Sequence, residues 1–441
     1  MKSDLDRLMA ERNYAALLIA GRAAHNPPMH YLANGAKLGE ATLLVKKRGE
    51  DPVLIVDVME RDEAARAGLK FLDLAKYNYL EILKEEQGNR LRAAARLYGM
   101  IFEELEVQGD VAAFGQRDQG AAYQLLSAIG ELNPGVNIVG EFGQTIFSLA
   151  TATKDAEEVK RIRAVGRKTM NVVAGTEAFL TSHRARNGYL VKKDGARLTI
   201  GDVKRHIRAL LSAENIVDAE DGTIFAIGRD AGVPHSRGNG RDPIALGQAI
   251  VYDIFPQEPG GGYFFDFTRT WCVGYAPPEV ERAYEDVLDA YKLVMQSLKP
   301  GELCSLYQKM TCDLFERRGH PTIQSNPQTT EGYVHPLGHG IGLFIHESPM
   351  LSDFEGNADR LDPGVVVTIE PGLYYPDHPK GGFGVRIEDS VWLNPKTLKF
   401  ETLAQYPKDL VLPVKPAKSQ APRTKLQTGG PSRKPRTKRT A

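Results

Sequence analysis

The sequence predicts an α/β domain followed by an α+β domain whose sheet is largely antiparallel. Three observations carry this. Up to residue 153, short apolar runs alternate with amphipathic helical patterns. A long helical pattern with acids in its first turn then opens at Lys154-Asp-Ala-Glu-Glu-Val. After residue 200 longer strands joined by turn sequences take over.

In order, Ser3 to Arg12 reads as an amphipathic helix capped by Ser3, with Leu5, Leu8 and Met9 on one face. Tyr14 to Ala20 is a buried strand. Ala41 to Val45 and Pro52 to Asp57 form a hairpin across the turn composition Lys47-Arg-Gly-Glu-Asp. Helices are expected around 60 to 67, 89 to 106 and 118 to 129, with strands at Val111 to Phe114 and Val136 to Val139. The boundary falls near 153, and the helix from Lys154 continues to about Leu180. Beyond 200, two further helices cover roughly Pro278 to Leu298 and Cys304 to Arg318. These readings divide the chain into 1–153, 154–412 and a tail, 413–441. The tail is basic and poor in apolar residues, so it cannot offset its ordering entropy and is expected to be disordered.

The 441 residues are 42% hydrophobic and 25% charged, with 56 basic and 56 acidic side chains, an ordinary globular composition. That balance excludes a strongly basic nucleic-acid binder. Residues 415 to 441 hold nine Lys or Arg and no acid, so the rest is mildly acidic. Cys272, Cys304 and Cys312 have no C-x-x-C spacing and cannot make a disulfide framework, which points to a reducing compartment. No signal-peptide pattern and no apolar run of ~18 residues occurs, so a cytoplasmic protein without a membrane partner is expected.

The chemistry lies where carboxylates interrupt apolar strands. Gln248-Ala-Ile-Val-Tyr-Asp-Ile-Phe sets Asp253 on the face of Ala249 and Val251. Tyr263-Phe-Phe-Asp-Phe-Thr-Arg-Thr repeats the pattern at Asp266, and the turn between them suggests that the two aspartates face each other across a hairpin. Glu370 ends Val365-Val-Val-Thr-Ile, and Glu388 lies in Gly384-Val-Arg-Ile-Glu-Asp beside Arg386. Four buried acids cannot all ionise unless cations neutralise them, and two divalent ions supply four positive charges. Between the pairs, His335-Pro-Leu-Gly-His-Gly-Ile-Gly-Leu-Phe-Ile-His contributes His335, His339 and His346, and His235 follows an earlier strand and turn. Oxygen-rich ligands with one imidazole favour Mn, Co, Fe or Zn.

Asp253, Asp266-x-Thr-Arg-Thr, His335-x-x-Gly-His339-Gly-Ile-Gly, Ile369-Glu370-Pro-Gly and Arg386-Ile-Glu388-Asp together resemble the pita-bread metallopeptidases. The likeness is to the Xaa-Pro aminopeptidase and prolidase branch, whose two-domain plan is shared with creatinases, and it covers most of residues 1 to 412. It implies a creatinase/prolidase-type front domain and a pita-bread catalytic domain. It implies two divalent ions, manganese foremost, with cobalt, zinc or iron as alternatives. Asp253 would hold one, His339 and Glu370 the other, and Asp266 and Glu388 both. Glu370 would also act as general base toward the attacking water. His235 and His346 would contact the substrate or its tetrahedral intermediate, with His335 and Arg386 supporting. The implied reaction is hydrolysis of Xaa-Pro bonds in short peptides by a homodimer. The Asp253 to Asp266 segment is longer than usual and lacks the family's Gly-Ala after the first aspartate, so the pocket rim is expected to differ.

Two rival readings fit parts of the same pattern. A creatinase-like hydrolase would cleave a non-peptide C–N bond, but creatinases lack the complete ligand set. A non-catalytic binding protein on the same scaffold would engage nucleic acid only through the basic tail; members that became binding proteins tend to lose ligands, and this chain has all five.

Overall fold

The computed structural model describes residues 1–40, 42–218 and 222–416. Short apolar runs in the front part build a six-stranded mixed sheet. Its strands are β1 (Ala16–Ala20), β2 (Leu43–Lys47), β3 (Val53–Val56), β4 (Lys70–Asp73), β5 (Gly109–Gly115) and β6 (Val136–Val139), in the order β4-β3-β2-β1-β5-β6. β1 pairs antiparallel with β2 and parallel with β5, which buries it on both edges and explains its unbroken apolar run. Helices α1 (Leu5–Glu11), α2 (Pro27–Leu32), α3 (Arg61–Arg66), α4 (Tyr79–Glu85), α5 (Arg90–Glu104), α6 (Gln119–Leu132) and α7 (Ile146–Ala152) flank it. The short elements β4, α2, α4 and α7 escape the sequence pattern. Ser3 does not cap α1, which starts behind a 3-10 turn over Lys2–Asp4.

Helix α8 (Ala156–Ser182) begins where the acids predict. The Asp155 side chain accepts from the backbone of Glu157 and Glu158, and Glu158 Oε2 accepts from Asp155 N at 2.9 Å, a reciprocal cap. Then come β7 (Arg184–Arg186), β8 (Tyr189–Val191), α9 (Ile200–Ala213), β9 (Ile224–Ile227), β10 (Ala249–Ile254), β11 (Phe267–Val273), α10 (Pro278–Ser297) and α11 (Cys304–Arg317). The remaining strands are β12 (Gly338–Gly340), β13 (Glu347–Leu351), β14 (Val366–Ile369), β15 (Gly372–Tyr375), β16 (Phe383–Arg386), β17 (Asp389–Leu393), β18 (Phe400–Thr402), β19 (Val411–Leu412) and β20 (Lys415–Pro416).

Three sheets, β19-β11-β10-β9, β13-β12-β14-β17-β18 and β20-β7-β8, and the β15-β16 ribbon form the back part, antiparallel except where β19 joins β11 and β20 joins β7. Ile250, Tyr252 and Ile254 of β10 pack with Val172 and Val173 of α8 and Ile207 of α9. On the other side, Val287 of α10 and Phe315 of α11 pack with Val367, Ile369, Val385 and Val391. A period of two therefore turns Asp253 away from α8 and α9, toward the interval between the strand layers.

The chain stays paired to Pro416, since β20 runs parallel to β7. The rest of the expected tail, 417–441, lies outside the described residues, as does residue 41 of the expected hairpin. Among the described residues no helix is long and apolar enough to cross a membrane, and the three cysteines are buried and unbridged.

Candidate metal centre

Asp253 lies near the end of β10, opposite Thr268 of β11. Asp266 sits one residue before β11, so the aspartates are neighbours without being a cross-strand pair. Asp266 Oδ1 accepts from Phe267 N at 2.8 Å, and its carbonyl accepts from Ser390 Oγ at 2.8 Å, which ties the two sheets together. Glu388 lies at the break between β16 and β17. Its amide donates to Thr268 O at 3.1 Å, and its Oε2 accepts from Thr268 Oγ1 at 2.7 Å.

His339 is the middle residue of β12, between glycines that permit close approach. A Cβ at Gly338 would stand 2.0 Å from Thr368 O, and one at Gly340 2.3 Å from Ser348 O. His339 Nδ1 lies 3.0 Å from Gly340 O, so it is the donor, and Nε2 turns to Glu370 Oε1 at 3.3 Å and Asp266 Oδ2 at 3.7 Å. The Thr368 hydroxyl accepts from His339 N at 3.0 Å and donates to Glu370 Oε1 at 3.2 Å.

Asp253, Asp266, His339 and Glu388 are all buried. Burial, and then the charge of Asp253, push the Asp266 carboxyl well above the usual carboxylate range; burial and then Asp266 do the same to Glu388. Burial also raises Asp253, against the opposing charge of Arg386. At Glu370 burial is outweighed by the hydrogen bond from His339, which holds it at about 2. At His339 burial is outweighed by Glu370, which lifts it to about 9. Asp253 Oδ1 and Glu388 Oε1 are buried without a hydrogen-bond partner among the described residues. Such oxygens are costly unless a cation meets them. Ligand atoms of Asp266, His339 and Glu388 lie within 4.8 Å of one another. Several carboxylates, one imidazole and two orphaned oxygens fit a divalent cation of the Mn, Co, Fe or Zn kind.

The nine side chains singled out in the sequence all line one cavity of about 580 Å³. His235 and His346 stand at its exposed side, and the His346 ring meets the His339 ring edge to face at 4.3 Å. Burial, and then the charge of His339, lower His346 to about 4. His335 is held by Pro336 O at 2.7 Å and the Tyr374 hydroxyl at 2.9 Å, and burial lowers its pKa. Arg386 pairs with Asp253, donates to Tyr374 Oη at 2.9 Å and reaches Thr268 Oγ1 at 3.2 Å. Its partner is thus Asp253, not its chain neighbours Glu388 and Asp389.

A second cavity of about 450 Å³ adjoins the first, sharing Arg237, Phe255, Ile345 and His346 with it and reaching His25, Pro27 and Gln116 of the front part. Sequence reading passed over Arg237, whose one signal is its place two residues after His235. Thr268, Thr368 and Tyr374 were missed too, because their hydroxyls act across strands that only the fold brings together.

The model of metallopeptidase family M24 matches residues 160–395, more than half of the chain. The Xaa-Pro dipeptidase of Pyrococcus horikoshii is 28% identical over 391 residues, 87% of this chain and 91% of that one. The Xaa-Pro dipeptidase of Pyrococcus furiosus is 34% identical over 169 residues, 38% of this chain and 43% of that one. The chain spans about half the length of the first curated relatives it matches. Among solved structures, the X-Pro aminopeptidase of Thermotoga maritima superposes with a TM-score of 0.70 at 21% identity, covering 92% of this chain and 99% of that one. The Xaa-Pro dipeptidase of Bacillus anthracis gives 0.70 at 21%, covering 93% and 99%. These likenesses establish the expected fold, an α/β front followed by a pita-bread part.

Proposed function

Because the chain belongs to metallopeptidase family M24, we propose that it hydrolyses peptide bonds in short peptides with two divalent ions, and Xaa-Pro bonds above all. The observation that carries this reading is the convergence of Asp253, Asp266, His339, Glu370 and Glu388 on one cavity wall. The names of the relatives support the proline preference.

In this reading Asp253 would hold one ion, His339 and Glu370 the other, with Asp266 and Glu388 available to both. Manganese is the proposed metal; cobalt, zinc or iron suit the same donors. Bound ions supply Lewis acidity and a more acidic water at neutral pH. Glu370 takes the proton of the attacking water and hands it to the leaving nitrogen. His346 and His235 donate to the oxygen on which negative charge develops. Proline's amide has no N–H to grip, so the apolar wall of Ile224, Phe255, Ile345 and Met350 takes its ring instead.

Residues 1–153 form the proposed front domain, 154–412 the catalytic domain and 413–441 a basic tail. The proposed enzyme is a cytoplasmic homodimer, a setting that suits three unbridged cysteines. The test is a cleavage survey of manganese-loaded protein on peptides of two to six residues, with proline second or absent. Cleavage confined to proline-second peptides and abolished by chelation is expected. Turnover indifferent to chelation overturns the reading, as does no turnover at all.

A further inference from the structure

Lys154 and Glu347 form an ion pair in which the side chains are 1% and 2% exposed. Two charges taken that far from water rarely add stability over apolar residues of similar volume, so their placement calls for another account. Lys154 lies in the connector between α7 and α8, where its amide donates to Gly364 O at 2.9 Å and its ammonium also reaches Ala152 O at 3.3 Å. Glu347 opens β13 and directly follows His346.

The loop between β12 and β13 curls around this pair. Glu347 Oε2 lies 3.5 Å from Phe344 N. A Cβ at Gly342 would stand 2.5 Å from Glu347 Oε1 and 2.9 Å from Lys154 Cε, so any side chain there would have to displace the ends of the pair. Gly342 is also tied down, because Phe264 N donates to its carbonyl at 2.8 Å. His346, in contrast, is located by its edge-to-face contact with His339 and by the backbone that carries it.

We propose that Lys154 and Glu347 are positioning residues for His346: their buried pair pins the loop 341–347 to the connector and so fixes where the imidazole stands over the cavity. The function of that placement rests on the peptidase reading above. The pair also makes the connector ahead of α8 part of the site's support.

The test joins a spectroscopic readout to a kinetic cycle on the full chain loaded with manganese or, for NMR, with diamagnetic zinc. Glu347→Gln is expected to shift or broaden the His346 ring signal, assigned by its loss in His346→Ala, and to leave the His235 signal in place. With the best peptide of the survey, Glu347→Gln should lower kcat about 10- to 100-fold with KM and bound metal little changed, the scale expected of a misplaced catalytic group. In the His346→Ala background the same substitution should cost nearly nothing more. An unmoved His346 signal, or an undiminished loss in that background, overturns the proposal. If Glu347→Gln fails to fold, Lys154→Met combined with Glu347→Leu replaces the pair by apolar groups and takes its place in both measurements. Should the wild type cleave no peptide, the peptidase reading falls, and the ring signal still decides the positioning role.

Discussion

Thr268 Oγ1 donates to Glu388 Oε2 at 2.7 Å, while the Glu388 amide donates to Thr268 O at 3.1 Å. One threonine therefore fixes both the backbone and the carboxylate of a residue 120 positions away, leaving Glu388 Oε1 without a partner among the described residues. Thr268→Val keeps the shape and removes the donor. Groups that orient metal ligands typically matter about 10- to 100-fold in affinity. Manganese titration of the variant should show a loss of that size with the fold retained; unchanged affinity would remove Thr268 from the support of the site.

Asp266→Ala should abolish turnover, because this carboxylate is proposed to serve both ions. Burial and the charge of Asp253 already make its ionised form unfavourable, so in metal-free protein the substitution should not lower the thermal midpoint. Calorimetry after chelation, beside a turnover assay, checks both halves. Near-native rates would contradict the ligand assignment.

His30 links pH to stability away from the cavity. Burial, and then the charge of Arg161, lower it to about 4, and Arg161 Nη2 lies 2.9 Å from its Nε2. Its folded pKa is below the unfolded value of ~6.5, so between those values the unfolded chain binds more protons. Its contribution is full above about pH 6.5 and is lost as the pH falls toward 4, roughly 3 kcal/mol in all. Urea unfolding at pH 7.5 and 5 should show a smaller acid loss in His30→Gln than in wild type; equal losses would refute the assignment.

Arg237 is a cation on the wall common to the two cavities, and under the proposed peptidase reading it would meet the carboxylate of a short peptide. Arg237→Met should raise KM for a free Xaa-Pro dipeptide about tenfold, the scale of a partly exposed charge-assisted hydrogen bond, with kcat little changed. The matching dipeptide amide should be nearly indifferent. A parallel loss on both substrates would mean that Arg237 does not read the carboxylate.

The legible part of this site is the part encoded locally. Asp253 stands out because an acid breaks an apolar alternation, and His339 because glycines flank it; both patterns survive in one stretch of chain. Alternation assigns a face but not a cross-strand partner, so the hairpin reading set Asp253 against Asp266 where the register sets it against Thr268. Arg386 looked like a neighbour of Glu388 and instead reaches Asp253, 133 positions away. The Lys154–Glu347 pair, whose members stand 193 positions apart, leaves no local trace. In the front part Tyr14 to Ala20 was readable from its apolar run, whereas β4, at the edge and half exposed, was not.

Asp253 and Asp266 come from one sheet, His339 and Glu370 from the other, and Glu388 from the seam between them. A cation shared by these donors would be a rivet as well as a reagent, clamping segments that the backbone joins only through long detours. Loading would then arm the catalyst and lock the layers in a single event, and a protease would tell loaded from stripped protein by the seam it can open.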